Sequence, residues 1–253
     1  MNGKICFRAS DVATAQTSMA ALVERYGQVS DGAADVIVAL GGDGFMLQTL
    51  DEVRPLDKPV YGMHRGTVGF LMNEYAEDGL LDRLEAAEEA HINPLRMTAG
   101  SADGNVTEAL AINEVSLLRA GPQAARLEIS VDGTSRMSEL VCDGALVSTP
   151  AGSTAYNYSA HGPILPIGSE VLALTAVAAF RPRRWRGALL PKSATVRFDV
   201  LEPEKRPVRA DADSRQVQSV LWVEVRSEPS ITHRLLFDPG HGLEERLIRE
   251  QFS

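Results

Sequence analysis

The chain has 253 residues, 44% of them hydrophobic and 23% charged, so it is long enough for one large domain or two modest ones with a real apolar core and is no staple-dependent miniprotein. With 25 basic against 34 acidic side chains the formal charge is −9, which excludes broad electrostatic attraction to nucleic acid or to an anionic membrane surface. A small anionic substrate stays open, because loop N–H groups and metal ions act locally.

In chain order, Lys4 to Arg8 reads as a strand, and Ser10-Asp11 supplies an N-cap for a helix in which Val12, Met19, Leu22, Val23 and Tyr26 recur at helical spacing. Val36 to Leu40 is a continuous apolar run of the kind buried on both faces; it ends in Gly41-Gly42, and FMLQTLDEV follows as a helix. Val60 to Met63 is a third strand and Asp78 to Ala90 an exposed amphipathic helix, so the alternation predicts a parallel sheet with helices packed on it. After Pro94 strand-like segments dominate, with Asp132-Gly133 marking a hairpin. Val171 to Phe180, interrupted by Thr175, is a buried strand or short helix, far short of the ~20 residues of a membrane span. GHGLEERLIREQF returns to helical spacing, with Leu243, Leu247 and Ile248 on one face. Cys6 and Cys142 are too few for a disulfide framework, and MNGKICFRAS has no signal-like apolar core, which predicts a cytoplasmic protein.

Gly41-Gly42-Asp43-Gly44 lies where a buried strand feeds a helix, the place where open α/β sheets bind ligands. Its glycines suit close approach to phosphate, whereas the carboxylate of Asp43 suits a metal or a proton; a self-capping Asp is the structural alternative. Neither G-x-x-x-x-G-K-[ST] nor G-x-G-x-x-G is present, since Leu47 stands where the latter needs glycine. A second cluster, Gly62 to Phe70, follows the third strand on the same sheet edge and places His64 and Arg65 for phosphate contact, with an ordinary capped turn as the bland reading. The densest signal runs from Cys142 to Tyr156, where Ser148, Thr149, Ser153 and Thr154 offer hydroxyls for ribose and phosphate oxygens and Tyr156 a ring for a base. Asn113-Glu114 are poor strand residues inside TEALAINEVSLLR, facing either solvent or a ligand. Arg181, Arg183, Arg184 and Arg186 form a basic patch that grips polyphosphate, a subunit interface or nothing.

Together LGGDG (Leu40 to Gly44), GMHRGTVGFL (Gly62 to Leu71), Asn113-Glu114 and DGALVSTPAGSTAYNYSAHGPI (Asp143 to Ile164) resemble the bacterial type of the NAD kinase family, in family order and over essentially the whole chain. The resemblance implies an α/β plus mostly-β protein: a Rossmann-like domain over 1–94, onto which 229–253 packs back through a C-terminal helix, and a β-rich NAD-binding domain over 95–228. It implies phosphoryl transfer from ATP or polyphosphate to the adenosine-ribose 2′-hydroxyl of NAD, giving NADP, with a divalent cation, Mg²⁺, required. By that resemblance Asp43 is the catalytic base, and Asp43, Gly44, Asn113, Glu114, Asp143, Ala151, Thr154, Ala155, Tyr156, Asn157, Tyr158 and Ser159 contact the dinucleotide. His64 and Arg65 touch phosphate or donor, and Asp213 matches a late acidic position. It further implies a homodimer or homotetramer, with Asp143 reaching a neighbouring subunit's site, and no nucleic-acid or membrane partner. Phe45, His64 and Ala151 depart from the family pattern, which has Thr, Asn and Thr in many members. The rivals are a GGDG-type lipid kinase and a non-catalytic NAD-sensing module.

Overall fold

The computed structural model describes residues 3–66, 69–183, 185–240, 242, 245 and 246. The chain divides into two compact units, Met1–Ile92 with Thr232–Ser253, and Asn93–Ile231.

The first unit runs β1 (Ile5–Ala9), α1 (Ala13–Tyr26), β2 (Val36–Gly41), α2 (Asp43–Val53), β3 (Val60–His64), α3 (Leu80–Ala86) and β4 (Glu88–Ile92). The second contains β5 (Leu95–Ser101), β6 (Val106–Ala111), β7 (Glu114–Arg119), β8 (Ala125–Val131), β9 (Thr134–Cys142), β10 (Gly144–Ser148), α4 (Tyr156–Ser159), β11 (Val171–Val177), β12 (Gly187–Pro191), β13 (Val196–Val200), β14 (Val208–Ala212), β15 (Arg215–Val217) and β16 (Val220–Ser227). The chain then returns to the first unit as β17 (His233–Phe237).

The first sheet has the order β1-β2-β3-β17-β4, parallel throughout except for the pairing of β4 with β17. Every residue of β2 is buried, as expected of a strand with neighbours on both edges and covered faces. Two helix expectations need correction. The first helix begins at Ala13 with Val12 as N-cap and no side-chain cap bond, because the Ser10 N–H extends the sheet by donating to the Leu40 carbonyl (2.9 Å). Its buried stripe is Ala15, Ser18 and Leu22, while Val12 is 57% exposed. The helix expected over 78–90 stops at Ala86; Glu88–Ile92 instead pairs antiparallel with β17, a partner 145 residues away that no local period reveals. Leu243, Leu247 and Ile248, on which the terminal helix was expected, lie outside the described residues, as do Thr67, Val68 and Arg184.

The second unit holds two six-stranded sheets, β12-β11-β10-β7-β14-β15 and β6-β5-β16-β13-β8-β9, around one core that includes Leu117, Leu127, Leu140, Val147, Phe198 and Val223. The Asp132-Gly133 hairpin joins β8 to β9 as expected, with both residues at positive φ (51° and 74°), the twist a two-residue turn needs. Val171–Val177 is a strand, and its Thr175 is fully buried because the hydroxyl donates to Asn157 Oδ1 (2.6 Å).

Candidate active site

Both units carry candidate site residues. In the first, β2 delivers Gly41 at its end, Gly42 is the extended N-cap of α2, and Asp43 is the first helical residue. The self-capping alternative is excluded: α2 has no side-chain cap bond. The Asp43 carboxylate instead accepts the N–H of Phe70 (2.7 Å) and of Leu71 (2.9 Å), so the loop after β3 is pinned to the start of α2. A Cβ at Gly69 would overlap the Asp43 carboxylate, which explains glycine there as a close approach. Gly44 is exposed at the helix start, where free N–H groups offer an anion site of the kind phosphates use.

His64 ends β3, half-buried, its N–H donating to the Asn73 carbonyl (2.9 Å). Arg65 is tied down by its N–H to the Gly41 carbonyl (2.9 Å), and its guanidinium lies 4.0 Å from the Tyr75 ring centroid. Its Nε is buried with no hydrogen-bond partner among the described residues, a polar atom open to an acceptor. Tyr75 carried no signal in the sequence; only the fold brings it under Arg65.

In the second unit the expected strand TEALAINEVSLLR breaks in two at Ile112-Asn113, and the halves enter different sheets. The corner is held from both sides. Asp213 accepts the N–H groups of Ile112 (2.7 Å), Asn113 (3.1 Å) and Glu114 (3.3 Å). Thr149 donates its hydroxyl to the Ile112 carbonyl (2.7 Å) and its N–H to the Asn113 carbonyl (2.9 Å). Asp213 is therefore a builder of the Asn113-Glu114 corner, a role that its exposed-looking ADSRQV context does not announce.

Glu114 is the most perturbed acid here. Burial first, then the charge of Asp213, push its carboxyl up to about 8, against a lowering by the Tyr156 N–H, and its Oε2 is buried with no partner among the described residues. The stability linked to this group is complete below its ordinary value near 4.5 and is lost as pH rises through about 8, because the fold favours the protonated form. Glu114→Gln should thus melt higher than the wild type at pH 9, and the difference should vanish by pH 4; equal melting curves at both pH values would refute this.

The hydroxyl-rich segment behaves differently from the expectation. Ser148, Thr149 and Ser153 are buried, and their hydroxyls serve the fold: Ser148 donates to the Thr149 carbonyl (2.9 Å), and Ser153 donates to the Pro150 carbonyl (2.7 Å) while accepting the Leu165 N–H (3.0 Å). Thr149 also accepts the Gly152 N–H (3.0 Å). A cradle of these three hydroxyls is thus corrected to a scaffold, since buried hydroxyls satisfy carbonyls before they can meet a ligand. Asn157 is fully buried as well, its amide donating to Ser153 and Pro163 carbonyls (3.0 and 2.8 Å) and accepting from Thr175, so its side chain is internal. Ala151 is buried at the start of a single 3₁₀ turn. Thr154, Ala155 and Tyr156 are half-buried, and Tyr158 and Ser159 are exposed. Burial pushes the Tyr156 phenol up. Asp143, between β9 and β10, accepts from Arg119 Nε (2.6 Å).

A Rossmann-like unit with a carboxylate anchored at a glycine turn, followed in the chain by a β-rich unit with a braced polar corner, is the frame of a nucleotide-dependent phosphotransferase. The family model for the ATP-NAD kinase N-terminal domain matches residues 4–87, and that for the ATP-NAD kinase C-terminal domain matches residues 112–228. The chain belongs to the ATP-NAD kinase family. It is 72% identical over 249 residues to an NAD kinase of Cereibacter sphaeroides (strain ATCC 17025), covering 98% of each chain. It is 59% identical over 250 residues to an NAD kinase of Hyphomonas neptunium, covering 99% of this chain and 98% of the relative. In fold it matches the yeast NADH kinase complexed with NADH at a TM-score of 0.84 and 19% identity, over 99% of this chain and 87% of that one. It matches an NAD kinase from Archaeoglobus fulgidus in complex with ATP at a TM-score of 0.73 and 23% identity, over 94% and 95%.

Proposed function

We propose that this NAD kinase moves the terminal phosphoryl group of ATP or polyphosphate to the adenosine-ribose 2′-hydroxyl of NAD, with Asp43 as the base that orients the hydroxyl and takes its proton. The observation that carries the assignment is the Asp43 carboxylate fixed at the start of α2 by two backbone N–H groups. That grip sets its direction before substrate arrives, which is what alignment of an in-line transfer requires.

Gly44 and the start of α2 offer N–H groups to phosphate oxygens, and Arg65 brings a cation whose Nε has no acceptor among the described residues. His64 borders the same turn. In the second unit Asn113 and Glu114 take the dinucleotide together with Thr154, Ala155, Tyr156, Tyr158 and Ser159, and Ala151 and Asn157 shape that loop from within. Held protonated near neutrality, Glu114 can donate a hydrogen bond as well as accept one. Asp143 borders this region, and Asp213 braces the corner.

Among the described residues no group of three or more His, Cys, Asp or Glu side chains could hold a metal ion. The divalent cation of this reading enters with the donor's phosphates, keeps several waters and neutralises their charge. The reading includes a homodimer or homotetramer, on the resemblance alone, and a cytoplasmic location, on the scarcity of cysteine. No helix among the described residues is long and apolar enough to cross a membrane.

The test is a donor-by-acceptor matrix with purified protein: ATP and polyphosphate against NAD and NADH, with Mg²⁺ varied. NADP formation that stops on exhaustive chelation is expected. Binding of NAD with no turnover on any donor would overturn the reading in favour of a sensing module, and phosphorylation of diacylglycerol micelles in favour of a lipid kinase.

A further inference from the structure

Asp43 is held by the loop that follows β3, and that loop is itself held from behind. Arg246 Nη1 donates to the carbonyls of Phe70 (3.1 Å), Gly69 (3.5 Å) and Met72, and Nη2 donates to Asn73 Oδ1 (3.4 Å). The guanidinium lies 5.1 Å from the Phe237 ring centroid, which fixes it against β17. Asn73 is fully buried and extends the brace: its amide donates to the Gly62 and Leu236 carbonyls (both 3.0 Å), and its Oδ1 accepts the Asp238 N–H (3.0 Å).

The pairing of atoms is specific. The Gly69 carbonyl and the Phe70 N–H are opposite ends of one peptide group, and the Phe70 carbonyl and the Leu71 N–H are opposite ends of the next. In a trans peptide these ends point in opposite directions. Two adjacent peptide groups thus stand with their carbonyls on Arg246 and their N–H groups on Asp43. A cation at one end and an anion at the other align both peptide dipoles, and hydrogen bonds in such a chain strengthen one another.

We propose that Arg246 is a positioning residue for Asp43, acting through the peptide groups 69–70 and 70–71 to fix the direction of the carboxylate. This rests on the assignment of Asp43 as the base. It gives the return of the chain to the first unit a task beyond packing, since the strand that carries Phe237 also orients the residue behind the reacting group. The guanidinium touches no reacting atom in this role.

The test compares wild type, Arg246→Ala, Arg246→Lys, Asp43→Asn and the double variant. Arg246→Ala should lower kcat about 10-fold or more with KM for both substrates within about twofold, because misplacement of a reacting group is felt in turnover. Lysine, with three donors for three carbonyls, should restore most of kcat, as should methylguanidine added to the alanine variant. In the Asp43→Asn background the Arg246→Ala change should lower kcat no further, since two residues acting as one unit are not additive. Hydrogen exchange of the Phe70 and Leu71 amides should be at least tenfold faster in Arg246→Ala. If the alanine variant does not fold, Arg246→Gln makes the same comparison. Unchanged kcat, or an equal loss in both Asp43 backgrounds, would overturn the proposal. If the wild type makes no NADP at all, the functional reading fails by itself. The positioning role is then decided by amide exchange alone, and unchanged exchange at Phe70 and Leu71 would end it.

Discussion

Asp43→Asn should lower kcat by about 10²-fold or more, the usual size of a general-base contribution, while leaving the second unit intact. The structure adds a second consequence. A carboxylate accepts both the Phe70 and Leu71 N–H groups, whereas an asparagine amide presents one oxygen and one NH₂, so one of the two N–H groups would face another donor. That mismatch costs about 1–3 kcal/mol if the loop stays in place, or else the loop moves. The melting temperature should therefore fall modestly, and steady-state kinetics on the folded fraction should show the loss in kcat with little change in the KM for NAD. Near-normal turnover by folded Asp43→Asn would remove the base from Asp43 altogether. A large stability loss with normal turnover would leave Asp43 a purely structural link between α2 and the loop.

The sequence made some of this legible and hid the rest for identifiable reasons. Val36 to Leu40 followed by Gly41-Gly42-Asp43 announced a buried strand, a turn and a helix, because each residue type suits its place locally. Asp132-Gly133 announced its hairpin in the same way, through backbone angles that these two residues tolerate. The pairing of β4 with β17 was invisible, since an edge formed across the chain leaves no period in either segment. The hydroxyls of Ser148, Thr149 and Ser153 were visible as polar but not as scaffold. Whether a serine faces a ligand or a carbonyl depends on which backbone it meets, and Thr149 meets Ile112 and Asn113 only because the strand breaks there. Arg246 and Tyr75 had no local signal at all, since each matters through a partner brought to it by the fold.

Asp213→Ala should be the most destabilising of the substitutions considered, because one side chain serves three backbone N–H groups in sequence. Ile112 is 4% exposed, so its N–H would be left without water as well as without Asp213, while Asn113 and Glu114 are half-buried and partly recoverable. With about 1–3 kcal/mol for each buried donor left unmade, the loss is about 3 kcal/mol, enough to lower the melting temperature by several degrees. Asp213→Asn separates the charge from the bonds. Asparagine also tolerates the left-handed backbone seen at Asp213 (φ 48°), and its oxygen can still serve the Ile112 N–H, so its stability should lie between wild type and alanine. The lost charge has its own reporter, since Asp213 is the second cause of the raised Glu114 pKa. In Asp213→Asn the pH at which Glu114-linked stability disappears should move below about 8, although burial still holds it above the ordinary value near 4.5. Thermal melts of both variants across pH 4 to 9 read the two effects independently. An unchanged midpoint in Asp213→Asn would show that burial alone perturbs Glu114, and an alanine variant as stable as wild type would show that the Ile112–Glu114 corner does not depend on Asp213.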